Sequence, residues 1–219
     1  MLHYLENLFH ALDLGSLKDA ALRMAAVLLC LTVHETCHGL AACALGDPTA
    51  RSRHRLSLNP LRHINWFGLL MMFAVGFGWA RPVPVDPRYF KDPKRGMALT
   101  ALAGPVSNFL LAALAIGISK VIYLSGYYHS ALDAAFMFCL YILAPLSVGL
   151  GLFNLLPIPP LDGAKVLGAL LPDATYFRIM RYERYGMLAL ILLSFTGVGS
   201  AVISRSIMTV YRGLFNLFY

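Results

Sequence analysis

The chain has 219 residues, 58% of them hydrophobic and only 13% charged. Soluble domains are about a quarter charged, so this composition excludes an ordinary soluble protein and indicates several membrane-crossing segments. The net charge of +7 does not indicate nucleic acid, because the basic residues fall in short loops between apolar runs, as positive-inside topology requires.

In chain order, residues 1–19 come first. They lack the basic start and small-residue cleavage site of a removable signal. Leu2, Leu5, Leu8, Phe9 and Leu12 recur at helical spacing, which predicts an interfacial helix lying on the membrane.

The first long apolar run covers residues 20–45, and HETCH interrupts it at His34, Glu35 and His38. On a helix, positions i and i+4 share a face, so both imidazoles can hold one zinc ion. Glu35 can then reach a water at the metal as general base. Two buried, hydrogen-bonded helix histidines are the bland alternative. The cost of polar groups at mid-membrane argues against it, since such groups are usually functional. Cys30, Cys37, Cys43 and Cys139 lie inside apolar runs with no CxxC pair and read as small packing residues.

A shorter apolar run over residues 67–80 ends in Arg81-Pro82-Val83-Pro84-Val85. It is too short for a span and reads as a re-entrant element. Longer runs follow over about residues 97–124, 131–156 and 187–203, each able to cross a core of roughly 30 Å as a helix. The basic residues concentrate in segments 46–66, 81–96 and 157–186. If residues 67–80 dip in and return, all three segments share one side, the cytoplasmic one.

Two histidines leave zinc short of a third protein ligand. Asp47 and Asp86 each precede a proline in a loop, but Asp162 directly follows the third long run in NLLPIPPLDGAKVLGALL. There Pro157, Pro159 and Pro160 break the helix, and broken backbone at membrane depth is tolerated where it lines a cavity. Asp162 could instead cap a short helix over residues 163–171. Capping alone leaves its apolar setting and the prolines unexplained, so the ligand role is favoured.

HExxH in the first span, GPxxN at Gly104–Asn108 and NxxPxxxLDG at Asn154–Gly163 together resemble the site-2 protease family of intramembrane zinc metalloproteases. GDPTAR, LSLNPLRHIN and GWARPVPVDP resemble its compact type without PDZ or CBS domains. The resemblance implies His34, His38 and Asp162 as zinc ligands, Glu35 as base and Asn154 beside the scissile peptide. Asn108 is open between substrate contact and tying helices together. His54 stands where that family usually has glycine, Asn65 where it has aspartate, and Thr36, Cys37 and Gly39 replace commoner choices. None of these removes a ligand or the base.

The expected fold is therefore an all-α polytopic membrane protein with about four transmembrane helices, a re-entrant element and a small β-hairpin or edge strand. One membrane-embedded domain fills residues 1–219: an interfacial helix (1–19), a catalytic core (20–171) and C-terminal helices (172–219). The expected partners are the lipid bilayer and a single-span membrane protein substrate. A multi-pass location in a prokaryotic inner membrane is implied, with the basic loops cytoplasmic. A lone loop histidine, His63, reads as a hydrogen-bonding residue. A zinc-holding scaffold or divalent-metal transporter would also carry intramembrane histidines. Such a path needs ionisable groups on several helices, and the second and fourth spans are nearly bare.

Overall fold

A computed structural model describes residues 17–75, 79–126, 129–181 and 200–219, with single positions 185, 186, 188, 190 and 192 between the last two. Among the described residues every regular element is helical. The interfacial helix expected over residues 1–19 lies outside them except for 17–19, which begin the first helix, and most of the fourth expected span also lies outside.

Helix α1 runs Leu17–Ala44, 28 residues or about 42 Å. It stops at Gly46, whose φ of +105° suits the residue just past a helix. The Asp47 N–H then returns to the Ala42 carbonyl at 2.9 Å. A short helix α2 (Thr49–Ser52) and a 3₁₀ turn at Pro60–Arg62 lead to α3, Trp66–Val75. Ten residues span only about 15 Å.

Helix α4 (Pro93–Ser125, 33 residues) opens with proline at its first position. The Asp92 carboxylate accepts the Lys94 and Arg95 N–H groups at 3.1 Å, so the helix start is fixed by both devices. Along α4, Leu99, Val106, Leu110, Leu114, Ile118 and Val121 are exposed at helical spacing, a stripe suited to lipid contact. Helix α5 (Ser130–Asn154) widens into π turns at Phe138–Leu143. Pro145 has no N–H to give the preceding turn, and the widened register accommodates that loss. Among the described residues α1, α4 and α5 are long and apolar enough to cross a bilayer, and the chain is an integral membrane protein. The prolines after Asn154 end α5. Helices α6 (Asp162–Gly168), α7 (Asp173–Arg181) and α8 (Ser200–Phe218) follow.

The chain divides into two compact units: residues 1–30, 108–152 and 199–219, and residues 31–107 and 153–198. The first unit packs Ala26, Cys30, Ala112, Ala115, Ile116, Ala144, Val148 and Ile207 into a core. Small side chains there let helix backbones approach closely. Asn108 belongs to this unit, fully buried, its carbonyl accepting the Ser147 hydroxyl at 2.8 Å. The second unit holds HETCH, residues 79–86 and Asp162.

The expected β-hairpin or edge strand is not formed among the described residues. Pro82 and Pro84 have no N–H to give a ladder. The N–H of Arg81 goes to the His63 carbonyl (2.8 Å), that of Val83 to Glu35 Oε2 (2.9 Å) and that of Asp86 to Asp47 Oδ2 (2.7 Å). The segment is pinned by tertiary contacts and has few donors left for a partner strand.

Candidate metal centre

Helix α1 brings His34 and His38 onto one face, as i and i+4 must. Asp162 reaches the same point from the first turn of α6. The N-cap position of α6 belongs to Leu161, without a side-chain cap, so the Asp162 carboxylate turns to the histidines instead. His34 Nε2 and Asp162 Oδ2 are 3.1 Å apart, His38 Nε2 and Asp162 Oδ2 3.2 Å, and the two Nε2 atoms 3.0 Å. Donors on a tetrahedral zinc with bonds of 2.0–2.1 Å lie about 3.3–3.4 Å apart. Two imidazoles and a carboxylate in a nearly equilateral triangle therefore fit zinc, with a fourth position left open.

Neighbouring groups fix the triangle. His38 Nδ1–H donates to the Thr100 carbonyl on α4 at 2.7 Å, which leaves Nε2 as the free electron pair and sets the ring plane. Gly104, one turn further along α4, faces both rings, and a Cβ there would run into the Cε1 atoms of His38 and His34. Gly163 similarly sits against the Leu155 carbonyl, so α6 can begin directly beneath the end of α5. The Thr36 hydroxyl donates to the Ser57 carbonyl at 3.0 Å.

A cavity of about 290 Å³ opens at the triangle, lined in part by His34, Glu35, His38, Thr100, Asn154 and Asp162. Pro82, Val83 and Val85 form one wall, and Lys165 also faces the space. Glu35 Oε2 is held by the Val83 N–H. That wall is itself clamped. The Asp47 carboxylate, fully buried, accepts from the Thr49 N–H and hydroxyl and from the Asp86 N–H. Arg55 donates to the Arg81 and Pro82 carbonyls at 2.9 and 3.3 Å. Beyond the wall, the Arg88 guanidinium and N–H pull the Asp86 carboxyl down to about 2.

Asn154 lines the cavity and Asn108 is not among its lining residues. His63 is buried, with Nε2–H donating to the Ser57 carbonyl at 2.7 Å. Among the described residues, the cysteines form no part of a metal-holding group. Sequence reasoning missed Thr100, Val83, Arg55 and Lys165. Asp47, read in the sequence as a loop residue before Pro48, accepts from the Thr49 N–H two residues on, as an Asx turn does.

The profile of peptidase family M50 matches residues 117–195. "Putative zinc metalloprotease YwhC" of Bacillus subtilis is 37% identical over 182 residues, covering 81% of each chain. The chain belongs to peptidase family M50, the site-2 protease family. "Putative zinc metalloprotease Rip2" of Mycolicibacterium smegmatis is 28% identical over 79% of this chain and 66% of its own length. Its Mycobacterium tuberculosis (H37Rv) namesake is 30% identical over 78% and 65%. No solved structure shows significant similarity to the chain. M50 membership makes the protein a metalloprotease with zinc as its cofactor.

Proposed function

We propose that the protein is an intramembrane zinc metalloprotease that hydrolyses peptide bonds within or near transmembrane segments of membrane-anchored proteins. One observation carries the proposal: the triangle of His34 Nε2, His38 Nε2 and Asp162 Oδ2, with edges of 3.0–3.2 Å, opens on the same cavity as Glu35.

When bound, zinc supplies charge stabilisation at the peptide carbonyl oxygen and makes water more acidic at its open position. His34, His38 and Asp162 hold the ion. Glu35 takes the proton of the attacking water and returns it to the leaving amine. The Val83 N–H keeps the Glu35 carboxylate on the cavity side. Asn154 hydrogen-bonds the substrate backbone, and Pro82 and Val85 exclude water beside it.

The ten-residue α3 dips into the membrane and returns, so the basic segments share the cytoplasmic face of a bacterial inner membrane. The substrate is a single-span protein whose helix unwinds at the cleft to expose its peptide bonds.

Separating base from ligands tests this reading. Glu35→Gln should lose cleavage of an internally quenched apolar peptide by ~10²–10⁴-fold while metal analysis of the purified protein still finds zinc. His34→Ala, His38→Ala and Asp162→Ala should lose zinc and cleavage together. Full zinc in Asp162→Ala removes the third ligand from the proposal, and full cleavage by Glu35→Gln removes the base.

A further inference from the structure

Lys165 sits three residues after Asp162 on α6, half-buried, and lines the cavity with the metal triangle. Its ammonium makes no hydrogen bond or ion pair with any described residue. Lys18 and Lys91 are simply exposed, whereas two other lysines have partners. Lys94 reaches the Asp173 carboxylate at 3.0 Å and the Leu171 carbonyl, and Lys120 lies over the Tyr123 and Tyr219 rings at 5.5 and 4.5 Å. The side chain of Lys165 is half-buried, while its ammonium stays open to the cavity. Position in the last turn of α6 favours a positive charge through the helix dipole, but that accounts for the residue type and not for a side chain lining a cavity.

The anionic side chains lining the cavity are already engaged: Asp162 faces the two histidines, and Glu35 accepts from Val83. Neither is within ion-pair distance of Lys165. No described side chain neutralises this ammonium, so an anionic group that enters the cavity finds a counter-charge there. Peptide hydrolysis also creates a carboxylate at the metal with every turnover, and an acidic side chain beside the scissile bond would present the same group beforehand.

We propose that Lys165 is the carboxylate-binding residue of the cleft, engaging either an acidic side chain of the peptide or the terminal carboxylate of the N-terminal product. The inference rests on the cleft being the peptide site.

The test uses zinc-loaded Glu35→Gln protein in detergent and fluorescein-labelled apolar heptapeptides, read by fluorescence anisotropy. One arm compares a free C-terminal acid with its amide. The other compares an internal Glu with Gln, both amidated. In at least one arm the acid should bind about tenfold more tightly, as a charge-assisted contact of this kind provides, and that arm identifies the source. The preference should vanish in Lys165→Met and persist in Lys165→Arg, with zinc content unchanged in both. Equal binding of acid and neutral peptides overturns the inference. So does a preference that survives in Lys165→Met, because the metal itself would then be attracting the carboxylate. Absence of binding by every peptide would overturn the cleft as a peptide site, and this inference with it.

Discussion

The Val83 N–H donates to Oε2 of Glu35 at 2.9 Å, joining residues 48 positions apart. The bond orients the carboxylate from a segment that is itself held by Asp47 and Arg55. The position of this carboxylate thus depends on backbone outside its own helix.

Val83→Pro removes that donor and keeps an extended backbone next to Pro82 and Pro84. Peptide cleavage should fall roughly tenfold to a hundredfold, the range for a hydrogen bond to a charged group, with zinc content unchanged. Val83→Ala retains the N–H and should stay within about threefold of wild type. Steady-state rates with a quenched peptide, together with metal analysis, check both.

Gly104→Ala places a methyl group against the Cε1 atoms of His38 and His34. Changes to groups that orient metal ligands typically cost about 10–100-fold in affinity, and zinc competition with a chelator should show a loss of that size. Nothing lies within 4 Å of a Cβ at Gly213 in α8. Gly213→Ala should instead raise stability by up to about 1 kcal/mol.

Asp47→Ala strips the buried acceptor shared by Thr49 and Asp86. Loss of these buried hydrogen bonds to a carboxylate should cost about 1–3 kcal/mol, visible as a lower thermal midpoint in detergent. Cleavage should decline as well, because residues 81–86 lose one anchor, while zinc stays bound. Asp47→Asn keeps one acceptor oxygen and should fall between the two.

His54 has φ of 51°, in the left-handed region that disfavours residues with a Cβ. Glycine removes that strain and adds freedom to the unfolded chain. His54→Gly should therefore stabilise the protein by no more than about 1 kcal/mol, with cleavage unchanged.

Topology is open to reporter fusions. Fusions after Ala50, Pro93 and Asp173 should all report the cytoplasm and a fusion at Gly126 the opposite side. A periplasmic signal at Pro93 would mean that the chain crosses fully near α3.

The convergence of His34, His38 and Asp162 was legible because a helix converts the spacing of His34 and His38 directly into a shared face, and because the prolines before Asp162 announce a break. Three of the long spans were equally legible from length and apolarity. The clamp around Glu35 was not. Its partners are the N–H of Val83 and the carbonyls of Arg81 and Pro82, and backbone groups carry no residue-type signature. For the same reason the prolines of residues 81–87 were visible while the destinations of the remaining N–H groups were not, and an edge strand was expected where a pinned segment stands. Asn108 left two roles open in the sequence, and its backbone carbonyl accepts the Ser147 hydroxyl within the first unit. Thr100 illustrates the same limit, since its contribution to His38 is a carbonyl.

The wall formed by Pro82, Val83 and Val85 has a polarity of its own. Its N–H groups are absent at the prolines or already donated inward, except at Val85. Arg55 occupies the Arg81 and Pro82 carbonyls, while the carbonyls of Val83, Pro84 and Val85 have no donor among the described residues. To a peptide lying alongside, this surface is mostly a row of acceptors. N-methylation of such a peptide should therefore weaken its hold on this wall, whereas reducing its carbonyls to methylenes should leave that contact largely intact.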